Sequence, residues 1–104
     1  MSARLDHLFA LVAKTPNDTF ARYALGMELK SAGRFAEAQD HFAFVIEKNG
    51  DYHPVYAAAA ETLVQLGRVD EARAVYGKGM EVCGRKGEAH AKDFLAKALA
   101  ALPS

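Results

Sequence analysis

The sequence predicts an all-α fold, a right-handed helical-repeat solenoid of antiparallel helix pairs with about six helices. Three observations carry this reading. Ser31-Ala32-Gly33-Arg34-Phe35-Ala36-Glu37-Ala38 and Gln65-Leu66-Gly67-Arg68-Val69-Asp70-Glu71-Ala72 are near copies, and the offset from Gly33 to Gly67 also joins Leu29 to Leu63, Phe42 to Tyr76 and Gly50 to Gly84. A fixed period of this size marks an array of stacked supersecondary units. Apolar residues recur at three- and four-residue spacing almost throughout, and no segment alternates at period two. Breakers at Thr15-Pro16, Gly33, Asn49-Gly50-Asp51 and Gly67 punctuate the periodic stretches.

Leu5, Leu8, Phe9, Leu11 and Val12 make a first helix that stops at Thr15-Pro16, because the residue before a proline disfavours helical geometry. Asn17 or Asp18 then caps a second helix, which carries Tyr23, Ala24, Met27 and Leu29 and ends at Gly33. The third runs from Phe35 to Lys48 with Ala38, Phe42, Val45 and Ile46 inward, leaving Gln39 on the outer face. Pro54 suits the first turn of a fourth helix, Tyr56 to Leu66, which ends at Gly67. The fifth spans Val69 to Val82, and Gly84 and Gly87 bracket a short basic linker, Arg85-Lys86. A last helix turns Ala91, Phe94, Leu95, Ala98, Leu99 and Leu102 inward. Loops of a few residues force neighbouring helices to run antiparallel.

The chain of 104 residues reads as one domain, and 51% hydrophobic residues suffice for a packed core. Met1 at the start and Pro103 after the closing helix read as a complete chain. Thirteen basic and thirteen acidic residues are interspersed, so no basic stripe points to nucleic acid. No apolar run approaches the ~20 residues of a membrane span, and Asp6 and His7 interrupt any signal-like start. One cysteine, Cys83, cannot form an internal disulfide, which favours a reduced, cytoplasmic setting.

These residues resemble the tetratricopeptide repeat family. Leu25-Gly26, Leu29, Ala38 and Phe42 match its Leu-Gly, Tyr and Ala-x-x-x-Phe positions, and Ala59-Ala60, Leu63, Ala72 and Tyr76 repeat them. Arg22 and Tyr56 stand where the family favours Trp, and Gly50 and Gly84 replace its closing proline. The resemblance implies an N-terminal half repeat over 1–18, full repeats over 19–52 and 53–86, and a capping helix over 87–104. It also implies a small stand-alone adaptor that works through a surface.

In such arrays the first helix of each pair lines a concave face. That places Phe20, Tyr23, Met27 and Lys30 in one groove with Tyr52, Ala57, Glu61, Val64 and Gln65. The family's best-known clamp for acidic tails needs Lys, Asn and Arg, yet Tyr23, Met27, Ala57 and Ala58 hold those places. An apolar groove with Lys30 and Glu61 as its charged marks suits a peptide or helix segment of a protein partner. A competing reading packs Phe20 and Tyr23 on Leu8, Leu11 and Val12. Another makes the chain a homodimer through the groove or the closing helix, whose Leu95, Ala98, Leu99 and Leu102 exceed what one neighbour covers.

Catalytic chemistry finds little support. His7, His41, His53 and His90 show no i, i+4 pairing with another His or Cys, so no metal is expected, nor any cofactor. His7 and His41 are one repeat period apart, equivalent outer positions of successive helices. Cys83 near His90 is the only nucleophile–base combination, and a thiol enzyme is the remote alternative. Gly77-Lys78-Gly79 lacks the preceding strand of a phosphate loop.

Overall fold

The computed structural model describes residues 2–103, so the outer bounds of the expected domain, Met1 and Ser104, lie outside the described residues. Six helices follow one another: α1 (Ala3–Lys14), α2 (Thr19–Ser31), α3 (Phe35–Lys48), α4 (Pro54–Gln65), α5 (Val69–Lys86) and α6 (Ala89–Ala100). Among the described residues there is no strand. Each helix packs on the next in sequence, and α2 also touches α4. Antiparallel neighbours therefore leave α2, α4 and α6 parallel in one layer and α1, α3 and α5 in the other.

Side chains and glycines set the helix ends. The Asp18 carboxylate accepts from the Phe20 and Ala21 amides at 2.9 and 3.2 Å and starts α2 at Thr19. At the far end the Gly33 amide donates to Lys30 O and the Arg34 amide to Leu29 O, at 3.0 and 2.9 Å. The same pair recurs one repeat on, from Gly67 to Val64 O and Arg68 to Leu63 O, at 2.9 and 2.8 Å. This bonding closes a helix only with a left-handed residue, and Gly33 and Gly67 have φ of 77° and 76°. Arg34 and Arg68 then reach forward with two hydrogen bonds each to Glu37 and Glu71, in the first turns of α3 and α5.

Nothing lies within 4 Å of the position a Cβ would take at Gly33 or Gly67. Gly33→Ala and Gly67→Ala should therefore each cost about 1 kcal/mol through backbone strain alone. Urea titration checks this, and a raised midpoint for either variant would show that the turn does not require its left-handed residue.

The core has two clusters. One joins Leu5, Leu8, Val12, Leu25, Leu29, Phe42 and Val45 with Val55 and Tyr56, and the other joins Ala60, Leu63, Ala72, Tyr76, Cys83 and Leu95. Small residues occupy the tightest crossings. A Cβ on Gly26 would lie 2.6 Å from the Phe42 ring, and one on Gly79 2.6 Å from Tyr56 Cβ. Ala38 and Ala72, the equivalent alanines of the two repeats, are both fully buried.

Three expectations need correction. Arg85-Lys86 is no linker: α5 continues through Gly84 to Lys86 and ends at Gly87, φ 72°. Its extra turn carries Cys83 into the core and lets Arg85 Nη2 and Lys86 Nζ donate to the Asp51 carboxylate and carbonyl at 3.2 and 2.6 Å. Basic groups there also complement the helix C-terminus. On α6 Leu95 is buried and Ala91, Ala98, Leu99 and Leu102 pack partly buried on the second core cluster, but Phe94 is 55% exposed because no helix of the described residues covers that side. Gln39 is half-buried, not outer, and its Oε1 is enclosed without a hydrogen-bond partner.

Candidate functional site

The Asp18 cap fixes the phase of α2, and phase decides which side chains share a face. Phe20, one residue inside the helix, is 60% exposed, with its ring edge-on to Tyr52 at 5.2 Å. Tyr23, one turn on and half-buried, meets Tyr52 edge-on at 5.2 Å and Phe42 at 6.1 Å. The ring–ring contacts of Phe20 and Tyr23 thus run to the loop before α4 and to α3, while Tyr23 also packs on the core cluster that includes Leu8 and Val12 of α1. Edge-on pairs of this kind contribute roughly 0.5–1.5 kcal/mol beyond burial. Burial, with Tyr52 and Glu61 nearby, raises the Tyr23 pKa, so its hydroxyl stays protonated and able to donate. Met27, half-buried, packs on the first core cluster beneath this row.

At the C-terminal ends of α2 and α4 the face becomes polar. Lys30 Nζ crosses to Glu61 Oε1 at 2.9 Å. The pair lines a cavity of about 420 Å³ with Ser31, Phe35 and Gln65. Val64 is half-buried against the second core cluster. The structure thus brings Lys30, Glu61 and Gln65 together at one end and Phe20, Tyr23 and Tyr52 at the other.

Ala57 belongs to a third place, which the sequence reading missed. An apolar cleft of about 260 Å³ opens between α4 and α6, lined by His53, Pro54, Ala57, Ala91, Phe94 and Leu95. His53 Nε2 lies 3.7 Å from a Glu88 carboxylate oxygen beside it. The missed signal was the repeat offset itself: it joins Ala57 to Ala91 and Glu61 to Leu95, making α6 a third first helix.

Cys83 and His41 are built into the structure, whereas His7 and His90 are exposed. Cys83 is fully buried, and burial pushes its thiol pKa up, opposite to what a nucleophile needs. His41 is half-buried rather than outer. Its Nδ1 is 3.5 Å from Arg22 Nη1, and burial followed by that guanidinium lowers its pKa. Arg22 in turn lies over the Phe44 ring at 4.1 Å and donates to Pro16 O at 2.9 Å. Among the described residues no three His, Cys, Asp or Glu side chains converge as metal ligands, and no helix is long and apolar enough to cross a membrane.

Residues 29–81 match the sequence pattern of the tetratricopeptide repeat. Among solved structures, an arginine-to-glutamate mutant of MamA is 31% identical with a TM-score of 0.69 over 72% of this chain. The chain spans about half of that protein, 55% of its length. A Bordetella parapertussis protein solved in solution superposes with a TM-score of 0.82 at 21% identity, over 96% of this chain and 87% of its own. No curated protein matches the chain.

Proposed function

The chain belongs to the tetratricopeptide repeat family, and on that premise we propose that it is a non-catalytic protein-interaction module whose contact surface is the face shared by α2, α4 and α6. The observation that carries this is the ordered aromatic row: Phe20 is 60% exposed while its ring is held against Tyr52, which also holds Tyr23. Exposed aromatics fixed on a rigid element are the anchors that concentrate interface energy.

Lys30 and Glu61, the charged marks of this face, are already paired with each other. A partner's charged terminus would have to compete with that pair, and the better-fitting ligand is an apolar peptide or an amphipathic helix. The lone buried thiol is consistent with a reduced, cytoplasmic setting.

The test is retention of partners from a lysate of the source organism on immobilised protein. Tyr23→Ala should weaken retention by at least ~1 kcal/mol, and Glu47→Ala, an exposed change on α3, should leave it unaltered. Retention should vary little with salt, because paired charges contribute little long-range attraction. Equal retention by Tyr23→Ala, with helical content unchanged, would place the contact elsewhere.

A further inference from the structure

Arg22 stands where the repeat pattern favours Trp, and its guanidinium joins three parts of the N-terminal half of the molecule. Nε donates to Pro16 O at 2.9 Å, in the loop between α1 and α2. The guanidinium carbon lies over the Phe44 ring of α3 at 4.1 Å. Nη1 lies 3.5 Å from Nδ1 of His41, one turn before Phe44 on the same helix. Asp18, two residues after Pro16 in that loop, caps α2 through the Phe20 and Ala21 amides. Arg22 thus holds the end of α1 and the start of α2 against α3.

A guanidinium only donates, and it stays charged at every pH the protein meets. Its contact with His41 therefore needs a bare Nδ1, the neutral ring carrying its proton on Nε2. Once protonated, the ring presents N–H at both nitrogens, so the acceptor is lost and two cations face each other at a half-buried position. The other charges around His41 do not cancel this. Asp40 and Glu37 of its own helix favour the cation, but Glu37 is bound by Arg34 at 2.7 Å. On α2, Glu28 and Lys30 are paired with Arg4 and Glu61, and Glu61 is the one charged residue of α4. Burial first, and Arg22 second, lower the His41 pKa.

We propose that Arg22 and His41 form an acid-sensitive clasp: protonation of His41 expels Arg22, releases the α1–α2 loop and loosens the N-terminal half repeat, while α4 to α6 stay packed. A histidine whose folded-state pKa lies below its ordinary value stabilises the fold above that ordinary value, and the contribution is lost as pH falls through the depressed one. The loosening stays local because α1 packs chiefly on α2, whereas α4, α5 and α6 pack in succession around the second core cluster. The clasp is independent of what the contact face binds.

NMR titration of the His41 ring in the whole chain reads the clasp directly. His41 should protonate at lower pH in the folded chain than in urea. Arg22→Met, which keeps the stem and removes the charge, should move the titration upward. Amide exchange then reads the opening. Between about pH 8 and about pH 5, the Phe20 and Ala21 amides and those of α1 should lose protection in the wild type relative to His41→Asn. The asparagine amide keeps an acceptor near the Nδ1 position and does not titrate. The difference should grow by at most about tenfold per pH unit, the limit for a single proton, with α5 and α6 unchanged. Parallel loss of protection in wild type and His41→Asn would overturn the clasp. So would a His41 ring that titrates alike in the folded chain and in urea, or one whose titration Arg22→Met leaves in place.

Discussion

Phe42→Ala should lower the unfolding free energy by about 3–5 kcal/mol, the range for deleting a fully enclosed aromatic side chain. Phe42 is completely buried, its ring fills the space that Gly26 leaves open, and Tyr23 lies against it at 6.1 Å. Gly26 has no side chain to move into the cavity, so the site collapses poorly. Small domains have stabilities of about 5–15 kcal/mol in total, so the variant should be near the margin at room temperature. The comparison is Phe44→Ala: that ring is half-buried under Arg22, and its loss should cost about 1 kcal/mol or less. Denaturant titration separates the two. Equal midpoint shifts would mean that the first core cluster is not organised around Phe42.

Tyr56→Ala should have a comparably large effect, about 3–5 kcal/mol, for a related reason. Tyr56 is fully buried at the junction of the two units, against Gly79 of α5, where a Cβ would come within 2.6 Å of Tyr56 Cβ. Its hydroxyl donates to Gly50 O at 2.6 Å and ties the loop before α4 to the core. Tyr56→Phe removes only this bond and should cost about 1 kcal/mol. Burial, then the nearby Asp51 carboxylate, raises the Tyr56 pKa. A raised folded-state pKa means that the hydroxyl's contribution is complete below the ordinary tyrosine value and is lost as the pH climbs through the raised one. The wild type should therefore lose stability at alkaline pH more steeply than Tyr56→Phe. Parallel curves for the two would show that the Tyr56 hydroxyl is not held protonated by the fold.

Most of the fold was legible in the sequence because local signals and tertiary packing agree. Gly33 and Gly67 stop helices and take left-handed geometry, and the span Phe35–Lys48 read from apolar spacing is the observed α3. Agreement failed only at the end of α5, where Gly84 weakens the helical signal beyond Val82. There packing overrides propensity: Arg85 and Lys86 bind Asp51. Phe94 misled in another way. Helical spacing puts it with Leu95 and Ala98 as if all faced a core, and spacing alone carries no information on whether another helix covers that side.

The candidate site was half legible. Three- and four-residue spacing aligned Phe20, Tyr23, Met27 and Lys30, and the repeat offset aligned Ala57, Glu61 and Val64 beside them. Spacing could not reveal that Lys30 and Glu61 neutralise each other, nor that Phe20 and Tyr23 share Tyr52. The ion pair is a contact between units, set by how α2 and α4 lie side by side, and the aromatic contacts depend on where the loop before α4 places Tyr52. The cleft between α4 and α6 was missed because the last helix was taken as a cap, although the period extends to it.

If the chain acts through the face of α2, α4 and α6, a bound partner must shield that face. Amide hydrogen exchange, with and without a protein retained on the immobilised chain, tests it most directly. Added protection should concentrate in α2 and α4 and in the loop carrying Tyr52, with α3 and α5 unchanged on their outer sides. Protection confined to α3 and α5, with α2 and α4 exchanging as before, would contradict the account.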